Sequence, residues 1–370
     1  MAVDYDAEAD LVISRTTQLC AVPAPPLQES QRAAVVRRWW GQDGLDPVVD
    51  AVGNVWARVR PSPGPALLVA AHLDTVFGHE VRHGVVRQQD RLVGPSVGDD
   101  SVAVAALSSL HRLLPAELAT AVWIVATVGE EGLGNLKGVT AALASPPQPV
   151  AALIALEGNY LGRVNTVGVG SHRITVTVRG PGGHAWEDAD HPSAVHAVAA
   201  MINRLDRLPR PAGRTSLNVG TVTGGSSINA RAAQCSFQLD LRAERQDSLD
   251  ALVAAADQAV AEAAAEHRVQ VSTEVIGQRP AGGIAATDPL VRIACAALTA
   301  SGVQPRLTAA STDANAAYAR GIPAVTIGLT TGELTHTEAE WIDLPPIATG
   351  LRALTRTITD LAELHANPKD

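Results

Sequence analysis

The sequence predicts an α/β protein in which a smaller α+β unit interrupts a larger α/β one. Three observations predict it. Apolar runs of strand length alternate with helical stripes up to about Gly168 and again from about Pro289. Between these stretches the pattern turns to half-exposed alternation in the order βαββαβ, which suits a small two-layer sandwich. The length, 370 residues, fits about two domains. The division expected is residues 1–168 with 281–370 for the larger unit and 169–280 for the inserted one.

In chain order, a helix is expected from about Asp6 to Cys20, with Leu11, Val12 and Leu19 on its apolar side, and Val22-Pro23-Ala24-Pro25-Pro26 ends it. A second helix runs from about Glu29 to Trp40. Val48-Val49-Asp50 and Asn54 to Val59 read as short strands around a Gly53 turn. Pro65 to Ala70 is a buried strand that runs into Ala71-His72-Leu73-Asp74-Thr75-Val76. Val85 to Arg87 and Arg91 to Val93 bracket a polar turn and lead to Gly94-Pro95-Ser96-Val97-Gly98-Asp99-Asp100. One helix is then expected over Val102 to Leu113, with Asp99 or Asp100 as its N-cap.

Ala121 to Val128 is a second buried strand and ends in Gly129-Glu130-Glu131-Gly132. Val150 to Leu156 is a third and ends in Glu157-Gly158-Asn159. The inserted unit carries strands at Ser171–Arg179, Ser216–Val222, Cys235–Arg242 and Val269–Val275, with helices over His196–Leu205 and Asp247–His267. A helix over Leu290–Ser301, a helix opened by Ser311-Thr312-Asp313-Ala314-Asn315, a strand over Ile322–Gly328 and a C-terminal helix from about Leu344 to Leu364 complete the chain.

Composition narrows the function classes. The net charge is −9, which argues against nucleic acid or an anionic membrane as partner. No run approaches the roughly 18 consecutive apolar residues of a membrane span. The acidic N-terminus is not a secretory signal, so a cytoplasmic protein is expected. The three cysteines, Cys20, Cys235 and Cys295, are widely spaced and odd in number, so no disulfide framework is expected.

The chemistry lies at the strand ends. In a strand, residues two apart face the same way, so His72 and Asp74 leave the first buried strand on one side. Taken singly, that pair is a satisfied polar contact, and Glu130-Glu131 a solvated acidic turn. Yet three buried strands of one half end in His72/Asp74, Glu130/Glu131 and Glu157. Ligands of open α/β sheets bind at the carboxyl ends of the strands, so the repetition favours one shared metal site.

The ordered set His72-Leu73-Asp74-Thr75-Val76, Gly98-Asp99-Asp100, Gly129-Glu130-Glu131-Gly132, Glu157-Gly158, Gly182-Gly183-His184-Ala185, Ser311-Thr312-Asp313-Ala314-Asn315 and His336-Thr337 resembles a zinc hydrolase family. That family holds aminoacylase, acetylornithine deacetylase, succinyl-diaminopimelate desuccinylase, glutamate carboxypeptidase and peptidase T. The resemblance implies a zinc-peptidase-like α/β catalytic domain and an inserted dimerisation or lid domain. It implies two divalent ions, Zn²⁺ with Co²⁺ or Mn²⁺ as alternatives, about 3.5–4 Å apart. Asp99 would bridge them, His72 and Glu157 would hold one, and Glu131 and His336 the other. Glu130 would be the general base, and Asp74 would orient His72. His184 would stabilise the oxyanion in the other subunit of a homodimer.

Two departures stand out. Many members follow the bridging aspartate with x-Lys-Gly, whereas this chain has Asp100-Ser101-Val102. The segment Trp186-Glu187-Asp188-Ala189-Asp190-His191 is bulkier and more acidic than is usual after the glycine-flanked histidine. His79, His83, His191 and His196 carry no comparable motif.

Asn229 and Arg242 fall where glutamate carboxypeptidase-like members hold a substrate carboxylate, a task that suits the planar fork of arginine. Arg242 can equally pair with Asp240 or Glu244. The expected activity is hydrolysis of N-acyl amino acids or short peptides with a free carboxylate. The alternatives are an aminopeptidase or tripeptidase of the peptidase T type, a dedicated biosynthetic deacylase, and a non-catalytic binding protein on the same fold.

Overall fold

The structure, a computed structural model, describes residues 3–366. The chain divides into two units: the residues up to Gly168 together with those from Gly283 on, and Val169–Gly282 between them.

The larger unit is built on a mixed sheet. Its strands run in the order Val48–Val49, Val55–Arg60, Ala121–Thr127, Ala66–His72, Val150–Glu157, Ala324–Gly328 and Arg163–Gly168, with Arg306–Ala310 paired to the last. From Ala121–Thr127 to Ala324–Gly328 the neighbours are parallel, so their carboxyl ends share one edge. Helices cover both faces, which is why these strands read as unbroken apolar runs. Leu67, Val69 and Ala71 pack on one face with Val12, Trp40, Leu107 and Leu354. Leu68 and Ala70 pack on the other with Leu136, Val139 and Ala317. Each fully buried Leu or Val adds about 1.5–3 kcal/mol.

Three details differ from the sequence expectation. The helix after Asp100 is broken into Val102–Leu107 and Leu110–Leu113. At the break the Ser108 and Ser109 amides donate to Ala105 and Ala106, a tighter i→i−3 pattern, and the Ser108 hydroxyl accepts from the Trp40 indole. The helix expected to open at Ser311 starts only at Ala314 and is the short turn Ala314–Tyr318. Arg163–Gly168 and Arg306–Ala310 are strands that the sequence pattern did not reveal.

The inserted unit is an antiparallel sheet in the order Thr215–Gly224, Gln234–Ala243, Gly170–Arg179 and Gln270–Arg279. Helices Ala194–Asp206 and Gln246–His267 complete a core of Ile174, Val176, Phe237, Leu239, Met201, Leu252 and Val260. The last strand passes Val275 through an irregularity and continues to Arg279. Among the described residues no helix is long and apolar enough to cross a membrane.

Candidate metal centre

The shared strand edge gathers the acids and histidines. His72 closes the strand Ala66–His72 and Glu157 closes Val150–Glu157, while Glu130 and Glu131 follow Ala121–Thr127. Asp99 comes from the turn Val97–Ser101, and its peptide to Asp100 is cis. His336 comes from the loop between Gly332–Glu333 and Trp341–Asp343 and holds a left-handed backbone, φ 66°.

The side chains converge. His72 Nε2 lies 2.9 Å from Asp99 Oδ1, and His336 Nε2 lies 3.0 Å from Asp99 Oδ2 and 3.1 Å from Glu131 Oε1. Three overlapping groups each bring their ligand atoms within 4.8 Å: His72, Asp99 and Glu157; His72, Glu130 and Glu131; Asp99, Glu131 and His336. His72, Asp99 and Glu131 each belong to two of the groups and so link them, and Asp99 meets both histidines. His72 Nδ1 is 3.0 Å from the Asp74 carbonyl, to which it can only donate, and this leaves the Nε2 lone pair facing the cluster.

Buried side chains behind the cluster fix the backbone that carries it. Asp74 is fully buried; its Oδ1 accepts from the Glu130 amide at 2.9 Å and its Oδ2 from the Glu131 amide at 2.7 Å. Its carboxylate is 3.6 Å from His72 Nδ1, farther than its own carbonyl. The side chain therefore sets the Glu130–Glu131 turn first, and the main chain orients His72. Asp100 is not an N-cap. Its Oδ2 accepts from the His72 amide at 3.1 Å and its Oδ1 from the Gly158 amide at 3.0 Å. The helix that follows starts from Ser101 with no side-chain cap.

Electrostatics test whether this pocket suits cations. Burial and the Asp99 charge raise the Glu131 carboxyl to about 7, and the same two causes raise Glu157 well above the usual range. Burial also opposes charge on Asp99, but hydrogen bonds from His336 and His72 hold its carboxyl well below the usual range. Hydrogen bonds to Asp99 and Glu131 raise His336 to about 10. Carboxylates held this close in a dry site need positive charge among them. The donor set, two imidazole nitrogens and carboxylate oxygens, fits divalent cations.

Among other charged groups of the larger unit, Glu29 and Glu340 were not marked by the sequence pattern, and Asp313 was marked only within the Ser311–Asn315 motif. Glu29 Oε1 accepts from the Gly129 amide at 2.8 Å. Glu340 is fully buried, accepts from the Gly98 amide at 3.1 Å, and is raised to about 9 by burial and by Asp99. Asp313 Oδ2 accepts from the Thr127 hydroxyl at 2.7 Å, and burial with the nearby Glu130 raises it to about 7. A sequence signal existed for one further residue, Arg32, which shares the apolar side of its helix with Val36 and Trp39.

In the inserted unit, His184 pairs with Ala230 in a short ladder. Its Nδ1 accepts from the amides of Trp186 and Glu187 at 3.3 and 3.4 Å, which leaves Nε2 as the N–H donor. Asn229 accepts from the Ser227 hydroxyl at 2.6 Å, and Arg242 Nε bonds Asp240 at 2.9 Å. Outside these units' motifs, His79 contacts Gln28, while His83 and His191 contact the carbonyls of Gly78 and Gly182.

Comparison with known proteins gives an independent line. Residues 68–360 match the peptidase family M20/M25/M40. A Paracoccidioides brasiliensis protein named as a probable carboxypeptidase is 24% identical over 211 residues, 51% of this chain and 47% of that one. The chain thus spans about half the length of the curated relatives it first matches. A Staphylococcus aureus tripeptidase structure superposes with a TM-score of 0.82 at 20% identity, covering 96% of this chain and 99% of the other. The Bacillus subtilis YXEP protein, a dinuclear metal binding peptidase, superposes with a TM-score of 0.73 at 17% identity over 97% and 99% of the two chains. At these identities the structural likeness speaks for the fold.

Proposed function

This chain belongs to peptidase family M20/M25/M40, and from that premise we propose that it is a metal-dependent amide hydrolase acting on N-acyl amino acids or short peptides with a free carboxylate. One observation carries the reading: Glu130, 4% exposed, lies in a group with His72 and Glu131, against the acids and histidines that converge on Asp99. His72, Asp99, Glu131, Glu157 and His336 would hold two divalent ions, with Zn²⁺ the best match to the donors. When bound, such ions polarise a carbonyl and acidify water. Glu130 takes the proton of the attacking water and passes it to the leaving amine, which needs one carboxylate that is not spent on coordination. Asp74 keeps that carboxylate in place through the Glu130 amide.

In the inserted unit, the His184 tautomer supports a role as donor to the developing oxyanion. Asn229 and Arg242 would recognise the substrate carboxylate; Arg242 is 38% exposed at its side chain and can turn from Asp240 to a ligand. We assign the inserted unit to homodimer formation on the family resemblance.

The test is metal analysis followed by hydrolysis of N-acyl amino acids and dipeptides, each as free acid and as C-terminal amide. Expected are bound divalent metal, cleavage of the free acids, and a 10²–10⁴-fold loss of kcat in Glu130→Gln with metal retained. Equal rates on acid and amide would remove the carboxylate preference. A requirement for a free amine would move the assignment to the peptidase T type.

A further inference from the structure

Arg32 is a fully buried arginine far from the chain segments that carry the ligands in sequence. Its guanidinium makes four hydrogen bonds, all to neutral groups. Nε donates to the Val22 carbonyl at 2.8 Å, and Nη1 to the Leu73 carbonyl and the Ser101 hydroxyl, both at 3.1 Å. Nη2 donates to the Ser96 hydroxyl at 3.0 Å. Leu73 stands between His72 and Asp74. Ser96 and Ser101 bracket Asp99 and Asp100. One planar cation therefore ties the His72 strand end to both ends of the turn that carries Asp99.

Packing alone does not account for this residue. A buried charge costs several kcal/mol and is usually replaceable by an apolar side chain of the same volume. Burial works against the Arg32 charge, and the neighbouring Cys20, Asp74 and Asp100 favour it. Those carboxylates are the ones that grip the amides of His72, Glu130, Glu131 and Gly158. A lysine has no fork and could not hold Leu73, Ser96 and Ser101 together.

We propose that Arg32 is a positioning residue of the metal centre, which sets the separation of His72 from Asp99 through Leu73, Ser96 and Ser101. The proposal rests on the metal reading above. Its sign separates it from a plain electrostatic role. Removing a nearby cation by itself strengthens cation binding; removing a device that holds ligands in register weakens it.

The experiment is a Co²⁺ titration of metal-free wild type, Arg32→Met and Arg32→Lys, read by visible absorption and by competition with a chelating indicator. Both variants should bind Co²⁺ at least about tenfold more weakly than wild type, the lower end of what outer partners of ligands contribute. Their Co²⁺ absorption bands should also shift, a readout that a loss of packing would not move. The double variant Ser96→Ala/Ser101→Ala keeps the charge and removes two anchors, so it serves if Arg32→Met fails to fold; it should weaken binding severalfold. Unchanged or tighter binding in the folded variants would overturn the proposal while leaving the metal site intact. No Co²⁺ binding by wild type would remove the metal reading and this inference with it.

Discussion

Asp74→Asn is the sharpest test of how the centre is held. The carboxylate accepts from two amides, Glu130 at 2.9 Å and Glu131 at 2.7 Å, with no exposure to solvent. An asparagine can accept from only one of them and presents its own N–H₂ to the other. A hydrogen bond to a charged group is worth about 1.5–3 kcal/mol, and a donor facing a donor in a buried site adds to the loss. The expected cost is about 2–4 kcal/mol of stability in the larger unit. Because the Asp74 carbonyl is untouched, the His72 tautomer and its side of the cluster should survive. The damage should fall on the Glu130–Glu131 turn, with kcat down about 10–100-fold. Urea unfolding followed by tryptophan fluorescence reads the stability, since Trp186 is the only tryptophan of the inserted unit. Steady-state kinetics reads the turn. A variant within twofold of wild type in kcat and unchanged in its urea midpoint would refute the assignment of Asp74 to that turn.

Other outcomes follow from the same structure. Removing divalent metal should abolish hydrolysis and, for a protein kept at 100 times its metal Kd, lower stability by about 2.7 kcal/mol; full activity after exhaustive chelation would contradict the metal reading. Asp43 is opposed by burial but held down by Arg15, at 2.6 and 2.9 Å, and by Arg112. Its folded-state pKa lies below its unfolded value, so its stabilisation is present above about pH 4 and is lost as pH falls through the folded value. Asp43→Asn should therefore destabilise at pH 7 and flatten the acid limb of the stability curve; parallel wild-type and variant curves from pH 2 to 7 would refute this. Phe237→Ala should cost the inserted unit about 3–5 kcal/mol through a cavity, checked by urea unfolding followed by far-UV circular dichroism.

The residues proposed for the metal centre stood out in the sequence because most of them punctuate strands. His72, Glu130, Glu131 and Glu157 each follow an apolar run, and parallel pairing brings such run ends to one edge. His336 has no such context; only its place in an ordered motif set marked it. Glu29 and Glu340 were invisible for the opposite reason, Asp313 was marked only as part of the Ser311–Asn315 motif, and Arg32 only by its place on the apolar side of its helix. Each is a charged residue in a helix or loop, where exposure is the ordinary expectation, and its burial depends on segments far away in sequence. The strands Arg163–Gly168 and Arg306–Ala310 lack the apolar density of the central ones, so tertiary pairing rather than propensity makes them strands.

The paired acids of the sequence resolve into a division of labour. Asp99 meets the histidines while Asp100 grips the amides of His72 and Gly158. His72 faces the cluster while Asp74 grips the next turn. Gripping carboxylates already have backbone N–H partners and the Arg32 charge nearby, whereas the converging ones oppose one another and need further cations among them. Loss of a converging acid therefore acts on metal content first. Loss of a gripping acid acts on the register of ligands that are all still present. The same distinction places Arg32 among the grips, as the cation whose charge balances Asp74 and Asp100 and whose fork reaches the strand end and the turn they serve. It also explains why Ser101 can follow the Asp99–Asp100 pair here: the hydroxyl is an acceptor that Arg32 uses.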